Sequence, residues 1–250
     1  MYKFCHVIIF IVAIYINSQT YGIDANQNRT LIIGIDTEYP PFSFIEKNEI
    51  VGFDIDIIKS ISEEKKFSIK LFDTEFRSIF PSLLSNKIDM AISCFPETKE
   101  RRKNFDFSKP YYITNVVAIF ENNKKINSIE DLRNKRISTT LGALSETFIL
   151  EELKKNNINI KHTIFNNSMQ SIKAIENNSQ DIAIMDKSIA TVFKKQNKNL
   201  SYFKFPNTEI GCRILFKKNF QLINEINNAI DILIENKKMK QIEEKWFDKN

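Results

Sequence analysis

Residues 91–112 read AISCFPETKERRKNFDFSKPYY. An apolar run turns at Pro96, passes a charged cluster containing Arg101 and Arg102, and ends in aromatic residues. A guanidinium placed just after a buried strand has two uses. It sits in a solvated turn, or it grips a carboxylate with two parallel N–H donors, a geometry that lysine does not reproduce. Acids follow two other apolar runs: Asp36 ends LIIGID and Asp186 follows IAIM. An aspartate in the second position is also a good N-cap for a following helix.

Other chemistry is poorly represented. The sequence holds two histidines, His6 and His162, and no Cys/His cluster with metal-ligand spacing. No nucleophile motif accompanies His162, which counts against a hydrolase. No metal or cofactor is expected. The formal charge is +5, with lysines spread among acids, so nucleic acid is not an expected partner.

At the N-terminus, a short basic start precedes the apolar run VIIFIVAIYI at 7–16, then small and polar residues to Gly22. This is the layout of a cleavable signal peptide over 1–22, too short in its apolar part to span a bilayer. Its removal takes Lys3 and no acid, which lowers the charge from +5 to +4. A periplasmic protein is expected. Cys5 and His6 leave with it, and Cys94 and Cys212 stay. An oxidising compartment favours a disulfide, but nothing in the sequence brings their Cα atoms within reach, and two unbonded cysteines are the expectation.

These residues need elements to position them. Strands are expected at 31–36, 68–72, 88–93, 113–120, 136–140, 160–165, 181–185 and 200–205. Helices are expected at 53–65, around 79–84, and at 145–155, 168–177, 187–196, 220–236 and 239–246. Ser128 is expected to cap a short helix through its side chain. Repeated strand–helix units imply parallel sheets covered on both faces, an α/β class.

Four stretches, in order, resemble the periplasmic binding proteins for polar amino acids, close to the glutamine- and lysine/arginine/ornithine-binding proteins. They are IDTEYPPFSF with IVGFDIDI, EFRSIFPSLLSNKIDMAIS, TKERRKNFDFSKPYY and IENKKMKQIEEKWF. The likeness runs from about residue 31 to 247. It implies a two-lobed periplasmic-binding-protein fold of type II, each lobe a mostly parallel sheet flanked by helices, joined by a two-strand hinge. Lobe 1 would be 26–112 with 208–250, and lobe 2 would be 113–207.

The same resemblance assigns roles. It puts Arg101 on the ligand's α-carboxylate and leaves Arg102 on the surface. It puts Asp186 on the ammonium, a role compatible with capping. Tyr39 and Phe76 would sandwich the side chain, although core packing competes for Phe76. Asp36 and Ser93 would read the far end. Pro96 stands where relatives carry Ser or Thr and lacks both N–H and hydroxyl. Leu144 stands where they carry Thr or Gly, with Thr140 and Ser145 as compensating donors. Cys94 replaces a small residue in the cleft wall.

Asp36 beside Glu38 disfavours an acidic side chain. The expected ligands are therefore arginine or lysine, then ornithine or histidine, then glutamine. The implied partners are a free amino acid and the transmembrane subunits of an ABC permease, the binding protein being a monomer. Two other readings stand beside this one. One is an enzyme resembling cyclohexadienyl dehydratase on the same scaffold. The other is a ligand sensor for a separate receptor.

Overall fold

A computed structural model describes residues 29–248, so the expected export segment at 1–22 lies outside the described residues. The chain begins with β1 (Thr30–Ile35), β2 (Glu38–Tyr39), β3 (Ser43–Glu46), β4 (Glu49–Val51), α1 (Phe53–Lys65), β5 (Ser68–Asp73), α2 (Phe76–Leu84), β6 (Met90–Phe95) and β7 (Phe105–Phe107). It continues with β8 (Tyr112–Glu121), β9 (Arg136–Thr140), α3 (Leu144–Lys155), β10 (Lys161–Phe165), α4 (Ser168–Glu176), β11 (Ile182–Asp186) and α5 (Lys187–Gln196). It ends with β12 (Leu200–Lys217), α6 (Ile223–Glu235) and α7 (Lys238–Glu243).

Two parallel triads form the sheet, β5–β1–β6 and β10–β9–β11. Between them lie β8 and β12, antiparallel to each other and to their outer neighbours β11 and β6. The sheet is therefore mixed. One strand carries the chain out of the first triad and the other brings it back, so the two must run in opposite directions.

Sequence periodicity ends the last strand at 205, whereas β12 runs on to Lys217. Pro206 has no N–H, Asn207 has φ 54°, and the β8–β12 register shifts between Lys204 and Glu209. The Thr208 hydroxyl repairs the gap by accepting from the Val116 amide at 3.2 Å and donating to the Phe205 carbonyl at 2.9 Å. A bulge of this kind reads as a strand end when only the turn residues are visible.

The apolar faces pack as their spacing dictates. Ile57, Ile58 and Ile61 of α1 join Leu31, Ile33 and Ile35 of β1 and Ile226, Ile230 and Leu233 of α6 in one core. Ile137, Ile182 and Ile184 meet Ile149 and Leu153 of α3 in a second. Each such side chain contributes about 1.5–3 kcal/mol on burial. Near residue 130 the expected cap is reversed. The residue at the cap is Ile129, which makes no side-chain capping bond, and the Asp131 carboxylate accepts from the amides of Asn127 and Ser128 at 2.8 and 3.1 Å.

Gly52 opens α1 with φ 141°, and a Cβ there would meet the Phe42 carbonyl oxygen at 2.1 Å. The β3–β4 hairpin and α1 close on that contact, since the Asp54 amide donates to the same carbonyl at 2.9 Å. Gly52→Ala is expected to cost about 3 kcal/mol or more, from backbone strain plus displaced backbone. Urea unfolding of the two proteins measures it, and equal midpoints would contradict it.

Candidate functional site

The parallel strands of both triads end at a common gap. Asp36 follows β1, Cys94 and Pro96 lie at the end of β6, Thr140–Ala143 close β9, Asn166–Ser168 follow β10, and Asp186 ends β11. Tyr39, Phe76, Ser93 and Ile210 complete the wall. The cleft holds about 570 Å³, counting the space open to solvent at its mouth. Carboxyl ends of strands are the usual ligand site of open α/β sheets, because the loops there are free to vary.

Arg101 does not line the cleft but stands beside two residues that do. Its Nη1 donates to the Pro96 carbonyl and its Nη2 to the Gly142 carbonyl, both at 3.1 Å. Its guanidinium carbon lies 5.2 Å from the Phe80 ring centre and 5.8 Å from that of Phe76. Among the described residues no carboxylate comes within ion-pair distance of it. Burial lowers its pKa to about 10, so it keeps its charge at neutral pH. Pro96 brings no donor, yet its carbonyl orients the arginine. Arg102, by contrast, pairs with Glu97 at 2.5 Å on the surface.

Asp186 has the N-cap position of α5 but makes no capping bond. The Ser188 amide goes to the Thr114 hydroxyl instead, at 3.4 Å. The Asp186 carboxylate turns into the cleft and accepts from the Tyr39 hydroxyl on the opposite wall. Burial raises its pKa to about 6, against the lowering effect of that hydroxyl. The Tyr39 phenol is pushed well above its usual value, by burial first and by the Asp186 charge second. Tyr39 also stacks on Phe42, with ring centres 5.0 Å apart.

At the far end, the Asp36 carboxylate accepts from the Glu38 amide at 3.0 Å, and its own amide donates to the buried Ser93 hydroxyl. Ser93 thus ties β6 to the end of β1. Burial raises the Asp36 pKa, opposed by the Glu38 amide and reinforced by the carboxylates of Glu38, Asp73 and Glu75. Glu38 accepts from the Asn167 side chain at 2.9 Å, so it too spans the gap.

The compensating donors fall differently from expectation. The Thr140 hydroxyl lines the cleft but sits 3.3 Å from the Ser168 hydroxyl. Ser145 is buried and is not part of the wall. Leu144 is the first residue of α3. The Gly142 amide is taken by the Glu146 carboxylate at 2.9 Å. Cys94 is bonded to Cys212, against the expectation of unbonded cysteines, with Cα atoms 4.1 Å apart. The reason is the unforeseen length of β12, which brings residue 212 alongside β6. Asn166, Asn167, Glu146 and Ile210 were not singled out from sequence. The only signal was capping: Asn167 accepts from the Gln170 amide at the start of α4, as an Asn before a helix should.

The profile of the bacterial extracellular solute-binding proteins, family 3, matches residues 31–249. The chain belongs to that family. Among its relatives, a probable histidine-binding protein of Campylobacter jejuni is 33% identical over 83% of this chain and 81% of its own. An arginine-binding extracellular protein of Bacillus subtilis is 29% identical over 88% and 86%. The crystal structure of the arginine-, lysine-, histidine-binding protein ArtJ from Geobacillus stearothermophilus superposes with TM-score 0.80 at 26% identity, covering 89% and 96%. This family 3 protein therefore has the two-lobed type II fold of amino-acid-binding proteins. Among its described residues no helix is long and apolar enough to cross a membrane.

The Asp186 environment yields a prediction. Tyr39→Phe removes a hydrogen bond that favours the carboxylate, so the Asp186 pKa should rise above about 6, by about one unit. A carboxyl ¹³C NMR titration reads this directly. An unchanged or lower value would mean the hydroxyl does not act on Asp186.

Proposed function

We propose that this protein captures a cationic L-amino acid, arginine or lysine before ornithine, histidine and glutamine, in the cleft between its lobes. The lobes are 26–112 with 208–250, and 113–207. The cargo is delivered to an ABC permease after export through the segment at 1–22. An α-amino acid enters as a zwitterion, and each of its charges must find a partner when water is excluded.

The observation that carries the reading is Arg101, a half-buried guanidinium whose described partners are two carbonyls and two rings. A half-buried cation facing only carbonyls and rings calls for an anion, and the α-carboxylate supplies one. Asp186 takes the ammonium, exchanging the Tyr39 hydroxyl for a charged donor. Tyr39 and Phe76 flank the side chain. Its positive tip relieves the crowding of Asp36 by Glu38, Asp73 and Glu75. The names of the relatives, arginine-, histidine- and lysine-binding, agree with this ligand class.

Titration calorimetry on protein stripped of carried-over ligand tests the proposal against arginine, lysine, ornithine, histidine, glutamine, glutamate and prephenate. Arginine or lysine should bind tightest. Glutamate as the best ligand would overturn the cation assignment, and turnover of prephenate would make the protein an enzyme. Arg101→Ala should lose about 2–5 kcal/mol of affinity by leaving the carboxylate unpaired, while Arg102→Ala should change little. Equal losses would sink the choice of Arg101. Asp36→Asn should narrow the gap between arginine and glutamine more than it weakens glutamine.

The pH dependence has a fixed sign. The ammonium needs ionised Asp186, whose pKa is raised to about 6. Affinity should hold above that pH and fall roughly tenfold per unit below it. A flat profile down to pH 4.5 would place the ammonium elsewhere.

A further inference from the structure

Tyr111 lies immediately before β8 and is buried. Its backbone amide donates to the Cys212 carbonyl at 2.9 Å. Its hydroxyl accepts from the Cys94 amide at 2.9 Å and donates to the Asp54 carboxylate at 2.9 Å. One residue therefore holds both ends of the Cys94–Cys212 bond, through its backbone amide on Cys212 and its phenol on Cys94, and it does so from the position just before the strand that leaves lobe 1.

The location of each partner matters. Cys212 faces Tyr112 in the β8–β12 ladder, where Ile113 pairs with Gly211 and Thr114 with Ile210. On the proposed lobe boundaries these are the crossing strands. Cys94 belongs to the cleft wall and has φ 46°, a left-handed conformation that a residue with a Cβ adopts only when its surroundings hold it. Two residues later comes Pro96, whose carbonyl orients Arg101. Nearby bonds tighten the same corner: the Ser108 hydroxyl accepts from the Ile214 amide at 2.9 Å, and Arg213 donates to the Ser108 carbonyl at 3.0 Å.

We infer that Tyr111 is a positioning residue for ligand capture: together with the Cys94–Cys212 cross-link it fixes the cleft wall ahead of Arg101 to both crossing strands. Pocket shape and hinge angle then become one variable. A wall residue in a left-handed conformation cannot relax independently of the hinge, because its amide, its side chain and the opposing strand are all tied to one phenol and one disulfide. Asp54 completes the anchor. It is fully buried at the start of α1, and its second carboxylate oxygen has no described partner, so Tyr111 supplies the main side-chain bond that holds it.

The inference rests on the amino-acid-binding reading, and the experiment separates the two. Amide hydrogen exchange is followed by mass spectrometry on wild type and Tyr111→Phe, without added amino acid. L-arginine affinity is measured on the same samples by calorimetry. Exchange in segments 90–96, 112–115 and 209–213 should rise tenfold or more in the variant while α3–α5 stay protected. Arginine affinity should fall fivefold or more with the order of preference among amino acids unchanged. Exchange that rises uniformly along the chain, or not at all, overturns the positioning role. Should Tyr111→Phe not fold, the double variant Cys94→Ala/Cys212→Ala takes its place. It keeps the phenol and removes the cross-link, and it should show the same confined rise; wild-type exchange in it would be equally fatal. If wild type itself binds no amino acid, the functional reading fails, and the exchange data still decide the role of Tyr111.

Discussion

The pairing of β8 with β12 is the constraint from which the rest follows. These two strands run antiparallel along most of their length, and β8 pairs with β11 of one parallel triad while β12 pairs with β6 of the other, so their ladder joins the two. Because the ladder bonds are shared between them, neither half of the molecule can be placed without the other. The bulge at Pro206 and Asn207 interrupts the ladder, and the Thr208 hydroxyl keeps the Val116 amide satisfied across the gap. The ladder is otherwise continuous, with this one local irregularity in its register.

With the two triads set on either side of that ladder, their carboxyl ends meet. The cleft is the consequence, and its charges are held by bonds that cross it. Arg101 reaches the Gly142 carbonyl, Tyr39 reaches Asp186, and Glu38 reaches Asn167. Each joins a residue on the β1–β6 side to one on the β9–β11 side. None of the three is a salt bridge. A cation faces carbonyls and rings on one side, and a carboxylate faces a phenol on the other. Both charges keep unspent bonding capacity, the electrostatic basis of the proposed capture of a zwitterion.

The apolar cores explain why these groups stay where they are. Phe42, Phe53, Tyr112 and Phe247 pack ring against ring beside the crossing strands, with Tyr112 and Phe247 stacked 4.9 Å apart. The C-terminal turn is pinned there by the Trp246 indole on Asp56 at 2.7 Å and by Lys195 on the Phe247 carbonyl at 2.8 Å. The last helices thus close over α1, and α1 carries Asp54 into the core.

Local chemistry is what the sequence determined by itself. The spacing of Ile57, Ile58 and Ile61 makes α1 a helix with one apolar face, and unbroken apolar runs make β1, β6 and β11 buried strands. The acids Asp36 and Asp186 sit at the ends of two such runs, and Arg101 lies in the charged turn beyond the third. These are short-range facts, set by side-chain period and by where polar residues interrupt it. Partners were decided only by the tertiary structure. Asp186 looked like a helix cap and became the acceptor of Tyr39, because the second wall of the cleft arrives from residues 147 positions away in the chain. Cys94 found Cys212 because β12 continues past a proline that reads as a stop. Ser145 looked like a cleft donor and lies buried outside the wall, while the Gly142 amide beside it went to Glu146. Periodicity specifies which face of an element is buried, but not which distant group that face will meet. That depends on the packing of the whole chain.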